Sequence, residues 1–290
     1  MKTPRLLLVT ALLTAGLAHA DEPAPNADKR ALNLAVQRDG QHNQSATAAV
    51  SLPVGDSAWV QAGVGQSRNR DAATGNSTQP RQVALGGGVA GQRWQASVNA
   101  SQRRDGAALR QTDVAAAVDW KPTEGVNVGV DATRRQGRAR GSVAGAPVEQ
   151  RVKGHGVGVH AAAEVTPRLT VYGATLHNRY TTSTMQTTGS GGLLAGVPLL
   201  GNRVSAVNRD EAALNSSHQL GATYRVSERV ALNGEVQQDR LHDGGTLRSV
   251  QMKAAINAGA GWTLTPGVGR SRGPQGETTN YGLLGASYAW

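Results

Sequence analysis

The chain contains no cysteine and no phenylalanine, and aromatic residues make up only 3% of it. Without cysteine there can be no disulfides and no thiolate-held metal, so the fold must hold without covalent staples even in an oxidising compartment. With so few aromatics and 37 glycines, a conventional globular core would be poorly filled. A wall that alternates apolar and polar residues has no such need, because it averages polar. Long apolar runs are also missing beyond the first residues, and a membrane helix needs about 20 consecutive apolar positions. Anything after residue 20 that enters a membrane must therefore do so as strands. Acidic residues are scarce as well, 20 against 30 Lys and Arg, which leaves the placement of the excess positive charge as a question.

The first residues read as a signal for export. Met1, Lys2 and Arg5 precede the apolar stretch Leu6 to Leu17, and Ala18-His19-Ala20 leads into the polar Asp21-Glu22-Pro23. This is the charged, apolar and small-residue order of a secretory signal peptide. Residues 1–20 are expected to be cleaved, 21–30 to form a flexible lead-in and 31–290 to form the folded unit.

From residue 31 onward, apolar residues recur at every second position in segments of about eight to eleven residues, the pattern of strands half in lipid and half facing a lumen. Leu32, Leu34 and Val36 open the series. Ala46, Ala48, Val50 and Leu52 follow, then Val60, Ala62 and Val64, and so on to Gly282, Leu284, Ala286, Tyr288 and Trp290. Fourteen segments emerge, with twelve or sixteen as alternatives. In the ninth, Leu169 to Leu176, the pattern does not say which face is which. Pro266, within the thirteenth, predicts a bulge or a displaced boundary, since proline cannot donate to a ladder.

Short connections at 53–57, 90–92, 121–125, 166–168, 227–229 and 259–261 alternate with longer polar ones at 39–45, 67–81, 102–110, 135–151, 178–215, 239–248 and 271–277. Bacterial barrels alternate short periplasmic turns with longer extracellular loops in this way. The expected fold is all-β: a single transmembrane antiparallel up-and-down barrel in the outer membrane.

Aromatic placement agrees with that topology. All five tryptophans fall at the expected periplasmic strand ends. Trp94, Trp120, Trp262 and Trp290 share the apolar parity with Tyr224 and Tyr288, which predicts a lipid-facing girdle; Trp59 has the opposite parity. Opposite parity also turns Asp113, Asp119, Asp131, Glu235 and Lys253 toward the lumen. Glu235 and Lys253 are equidistant from a loop centred near residue 244, which predicts a cross-strand pair and a structural salt bridge.

The last ten residues, Tyr281 to Trp290, resemble the C-terminal recognition strand of bacterial outer-membrane proteins. Gly285, Tyr288 and Trp290 match its glycine and two aromatics, which the resemblance implies are read by the barrel-assembly machinery. Trp290 stands where phenylalanine is usual and Leu283 where a polar residue is common. Together with the strand count, the mature chain resembles the small monomeric fourteen-stranded porins, and that resemblance implies a monomer.

The expected outer rim is rich in arginine, with Arg68, Arg70, Arg103, Arg104, Arg134, Arg135, Arg138, Arg140 and Arg151 forming a cationic mouth. Two explanations stand side by side: arginines that bind phosphates of lipopolysaccharide, or a vestibule that concentrates anionic solutes. The expected function is passive diffusion of small hydrophilic, including anionic, solutes. The alternatives are a non-transporting surface barrel that binds lipopolysaccharide or polysaccharide, and an outer-membrane enzyme.

Enzymatic chemistry is not expected, because only Ser216 and His218 share a face and no third orienting group is identifiable. His155 and His160 have opposite parity, so neither a metal nor a cofactor is expected. Nucleic acid is not an expected partner, for want of aromatic stacking platforms. The apolar segment 191–200 in the longest loop is expected either to fold into the mouth or to pack on a partner.

Overall fold

In the computed structural model, backbone is described for residues 8–9 and 30–290 apart from 41–42, 71–76, 107–108, 144–145, 186–207, 210–213, 242–243 and 275. The side chains of residues 8–9, 69–70, 139–143, 146–150, 181–185 and 208–209 are likewise outside the description. Most of the expected signal peptide and lead-in, and the apolar segment 191–200, lie outside the described residues.

Fourteen long strands follow one another: β1 Ala31–Asp39, β2 Gln44–Val54, β3 Ala58–Arg70, β4 Arg81–Ala90, β5 Trp94–Asp105, β6 Leu109–Thr123 and β7 Val126–Val143. The second half is β8 Ala146–Thr166, β9 Leu169–Met185, β10 Leu214–Arg225, β11 Val230–Leu241, β12 Thr246–Gly259, β13 Trp262–Arg272 and β14 Thr278–Ala289. Each pairs antiparallel with its neighbours in sequence, and β14 pairs with β1 from Tyr281 opposite Asp39 to Ala289 opposite Ala31. The sheet thus closes into an up-and-down barrel of fourteen strands, which leaves no edge with unpaired backbone groups in lipid.

Alternation in the sequence becomes alternation in space. Along β11, Asn233, Glu235, Gln237 and Asp239 are buried, while Leu232, Val236, Gln238 and Arg240 between them are exposed. Around the outside, Leu85, Val98, Val118, Val130, Val157, Val236, Met252 and Val268 form an exposed apolar band, far larger than a soluble monomer carries. Strand β9 is settled by the same test. Thr170, Leu176 and Asn178 are buried while His177 and Arg179 are exposed, so its even-numbered residues face inward.

The six short turns fall where the sequence places them. In the tightest, Gly259, Ala260 and Gly261 all have positive φ, and a Cβ on Gly261 would overlap the Ala289 carbonyl of the last strand, so glycine is required there.

The longer connections differ from expectation. Residues 135–143 and 146–151 are not loop but the outer ends of β7 and β8, with only 144–145 between them; β9 likewise runs on to Met185. Hydropathy reports contact with lipid, whereas backbone pairing continues above the membrane wherever a partner strand continues, so these strand ends carry no apolar signature. At roughly 3.4 Å per residue, the 21 residues of β8 make about 70 Å of strand.

Pro266 produces neither a bulge nor a boundary. The β12–β13 ladder pairs Lys253 with Gly267 and Ile256 with Leu264 in one continuous register, skipping the pairs between, while Pro266 stays opposite Leu284 on β14. The missing donor interrupts one side of the strand only.

Candidate pore wall and outer basic rows

The inward face is made mostly of small or polar residues. Ala49, Ser51, Gly63 and Ser67 lie on β2 and β3, Ser97 on β5, Ala117 on β6, Gly154, Gly156, Gly158 and Ala162 on β8, and Thr223 on β10; all are buried from lipid. The few inward rings lie against the wall. Trp59 stands directly opposite Gly88, Tyr172 opposite Gly221, Tyr180 opposite Gly154, Tyr281 opposite Gly269 and His160 opposite Gly129. In each case a Cβ on the glycine would overlap the facing ring. The ring occupies the volume that the neighbouring strand leaves empty, a device for covering glycine in curved sheets.

Three polar networks tie the inward face together. His160 on β8 bridges two carboxylates, its Nδ1 lying 2.8 Å from Asp131 Oδ2 and its Nε2 2.7 Å from Asp119 Oδ1. Asn127 Nδ2 also donates to Asp119 Oδ1 at 3.1 Å. Arg135 Nε donates to Asp113 Oδ1 at 2.6 Å, and Gln111 Nε2 to the other oxygen of Asp113 at 2.6 Å.

On the far wall, Glu235 accepts from Gln251 Nε2 at 2.9 Å, from Tyr172 Oη at 3.0 Å and from Gln219 Nε2. The expected opposition of Glu235 and Lys253 is corrected by this register. Glu235 faces Gln251 and Lys253 faces Asn233, a shift of two residues that makes the pair diagonal. The turn is centred one residue earlier than the loop composition suggests. Asp113, Asp131, Glu235 and Lys253 all lie on the inward face of their strands, and the last three are buried.

The role of His160 is not evident from its spacing to His155. It could have been found by counting outward from the turns, since Asp119 faces Gly129 and Gly129 faces His160.

The arginines expected at the mouth divide by face. Arg103 and Arg135 point inward and are buried. Arg68, Arg104, Arg134 and Arg151 are exposed on the lipid-parity face, with Arg138 half-buried on the same face. The side chains of Arg70 and Arg140 lie outside the described residues.

The outward basic residues are aligned across strands. Arg81 is opposite Arg104, Arg104 opposite Arg110, Arg110 opposite Arg138 and Arg138 opposite Arg151, one row over β4 to β8. A second row, Arg134 opposite His155 opposite Arg179, lies nearer the apolar band, and Arg248 faces Arg272 on the other side of the barrel. Among the strand residues whose side chains are described, no acid shares this face. Asp39, Asp105, Asp113, Asp119, Asp131, Glu164, Glu235 and Asp239 all have inward parity, against Arg103, Arg135, Arg225 and Lys253 in the same wall.

At the opposite end of the strands, Trp94 faces Trp120, and both are exposed with Tyr224, Trp262 and Trp290. Trp262 stacks on Tyr288 at 4.8 Å and Tyr288 on Trp290 at 5.4 Å. Gly285 lies on the inward face of the same terminal strand, opposite Thr265. Trp59, of the other parity, is buried inside.

Ser217 points inward and is fully buried, whereas His218 is exposed on the outer face, its Nδ1 3.0 Å from Thr175 Oγ1.

No known protein family matches the sequence, and no curated protein does. Solved structures do match its fold. A FadL homologue from Pseudomonas aeruginosa aligns over 93% of this chain and 93% of its own at 10% identity, with a TM-score of 0.57. The toluene transporter TodX of Pseudomonas putida aligns over 93% and 90% at 8% identity, with a TM-score of 0.51. The monoaromatic hydrocarbon channel CymD aligns over 90% and 87% at 9% identity, with a TM-score of 0.51. At such identities the likeness is one of fold. The closed wall of fourteen strands, apolar outside and polar inside, is an antiparallel β-barrel, the fold that the chain shares with these solved structures.

Proposed function

We propose that the protein is a passive channel for small hydrophilic solutes, exported by a cleaved signal peptide at residues 1–20 and without enzymatic activity. The observation that carries the reading is a wide closed wall whose inward face is largely polar. Fourteen strands about 4.8 Å apart and tilted about 40° enclose a backbone ring roughly 28 Å across. Eight-stranded barrels are filled by their own side chains; this one is more than half as wide again, and its inward rings lie flat on glycines. Transporter and channel neighbours of the same fold are in keeping with this reading. Ser216 and His218 share a face, but no carboxylate contacts His218 among the described residues, which argues against a hydrolytic triad.

The preference expected from the net charge changes with the faces. The bases that suggested attraction of anions lie mainly on the outer surface, while acids outnumber bases on the inner one. The channel should therefore favour neutral and cationic solutes, since fixed charge lining a pore sets its ion selectivity.

Single-channel recording of refolded residues 21–290 in planar bilayers under a potassium chloride gradient tests both parts. Discrete openings with a cation-biased reversal potential support the proposal. An anion-biased potential refutes the charge assignment, and silence from protein verified as folded refutes the channel itself.

A further inference from the structure

We infer that the arginine row over β4 to β7 is a binding site for the phosphorylated glycolipid of the outer leaflet, with the guanidinium groups clamping its sugar phosphates. This site is on the outside of the wall and does not depend on what passes through the lumen.

The first observation is the register. Arg81, Arg104, Arg110 and Arg138 stand directly opposite one another on successive strands, where facing Cβ atoms lie about 4.5–5.5 Å apart and like charges repel. None of the four makes an ion pair among the described residues. A row of like charges at that spacing is stabilised by an anion with several oxygens, and arginine meets phosphate with two parallel hydrogen bonds.

The second observation is the sorting of charge on the same strands. Asp105, Asp113, Asp119 and Asp131 all turn inward, where Asp113 already holds Arg135, so the outward row keeps its full charge.

The third is height. Trp94 to Arg104 and Trp120 to Arg110 each span ten residues, which is about 34 Å of strand, or about 26 Å along the axis at a 40° tilt. That matches the roughly 25 Å apolar band of outer-membrane barrels. The tryptophans mark one interface, so the arginines stand at the phosphate level of the other. Val83, Val98, Val114 and Val130 below them offer apolar surface to the acyl chains.

The test compares full-length folded protein with two triple variants, Arg104→Gln/Arg110→Gln/Arg138→Gln in the row and Lys121→Gln/Arg168→Gln/Arg229→Gln on the periplasmic turns. The probe is diphosphorylated lipid A in detergent micelles, with its dephosphorylated form as comparison, and retained lipid is counted by native mass spectrometry. Folding of every variant is checked by the shift in gel mobility on heating.

The expected result is at least a tenfold loss of diphosphorylated lipid A retention by the row variant and less than a twofold change for the turn variant. Wild type should also retain the dephosphorylated form at least tenfold less well. Equal retention by the row variant and wild type overturns the proposal, as does an equal loss in the turn variant or indifference to the phosphates. If the row variant does not fold, Arg110→Gln alone is measured, for which a threefold loss is expected and no loss overturns the site.

Discussion

Replacing Gly221 by alanine should displace Tyr172 from the wall. The added Cβ would overlap the phenol ring at its Cζ and hydroxyl end, the end that matters most, because Tyr172 Oη donates to Glu235 at 3.0 Å and accepts from Asn233 Nδ2 at 3.0 Å. Two costs combine. Overpacking a well-filled site typically costs about 1–3 kcal/mol, and losing a hydrogen bond to a charged acceptor costs about 1.5–3 kcal/mol. The sum is about 2.5–6 kcal/mol, to be read as the difference in unfolding free energy from urea titrations of the folded protein in lipid.

Gly234 supplies the comparison. It lies on the neighbouring strand and faces outward, and a Cβ there meets nothing within 4 Å, so Gly234→Ala should be neutral or gain about 0.5–1 kcal/mol as strand glycines do. A swung ring also enters the lumen, so Gly221→Ala should lower single-channel conductance while Gly234→Ala leaves it unchanged. Equal stability and conductance in the two variants would refute the view that glycines hold the inward rings flat.

The remaining predictions concern the same wall. His160→Ala leaves Asp119 and Asp131 without the imidazole between them. Removing one partner of a buried ionic cluster costs about 3–5 kcal/mol, to be discounted to about 1–3 kcal/mol because Asp119 and His160 are partly solvated. A double-mutant cycle with Asp119→Asn should return a coupling above 0.5 kcal/mol, and additivity would count against the bridge. Trp290→Ala removes one end of the Trp262–Tyr288–Trp290 stack and the aromatic that the terminal strand is proposed to offer to the assembly machinery. Its folded yield in proteoliposomes containing that machinery should fall several-fold, whereas an unchanged yield would place recognition elsewhere.

Much of this fold is legible from residue order because its two solvents differ so sharply. Lipid on one side and polar lumen on the other force a period of two wherever a strand crosses the membrane, so strand identity, the short turns and the girdle tryptophans follow from hydropathy alone. Legibility stops where that contrast stops. The outer ends of β7, β8 and β9 are paired backbone above the apolar band, and Arg-rich and Gly-rich strand there reads like loop. Register is also invisible to parity, since sliding by two residues keeps every face correct; Glu235 and Lys253 keep their side of the wall yet face other partners.

The sequence by itself determined that the chain alternates, that it forms an up-and-down series of about fourteen strands and that it carries an excess of arginine. Only the tertiary structure decided which residues meet across strands. It set Tyr172 on Gly221 and His160 between two aspartates. It also set the outward arginines opposite one another in a row, because contacts between strands are fixed by the turn geometry that sets register, and composition carries no record of that.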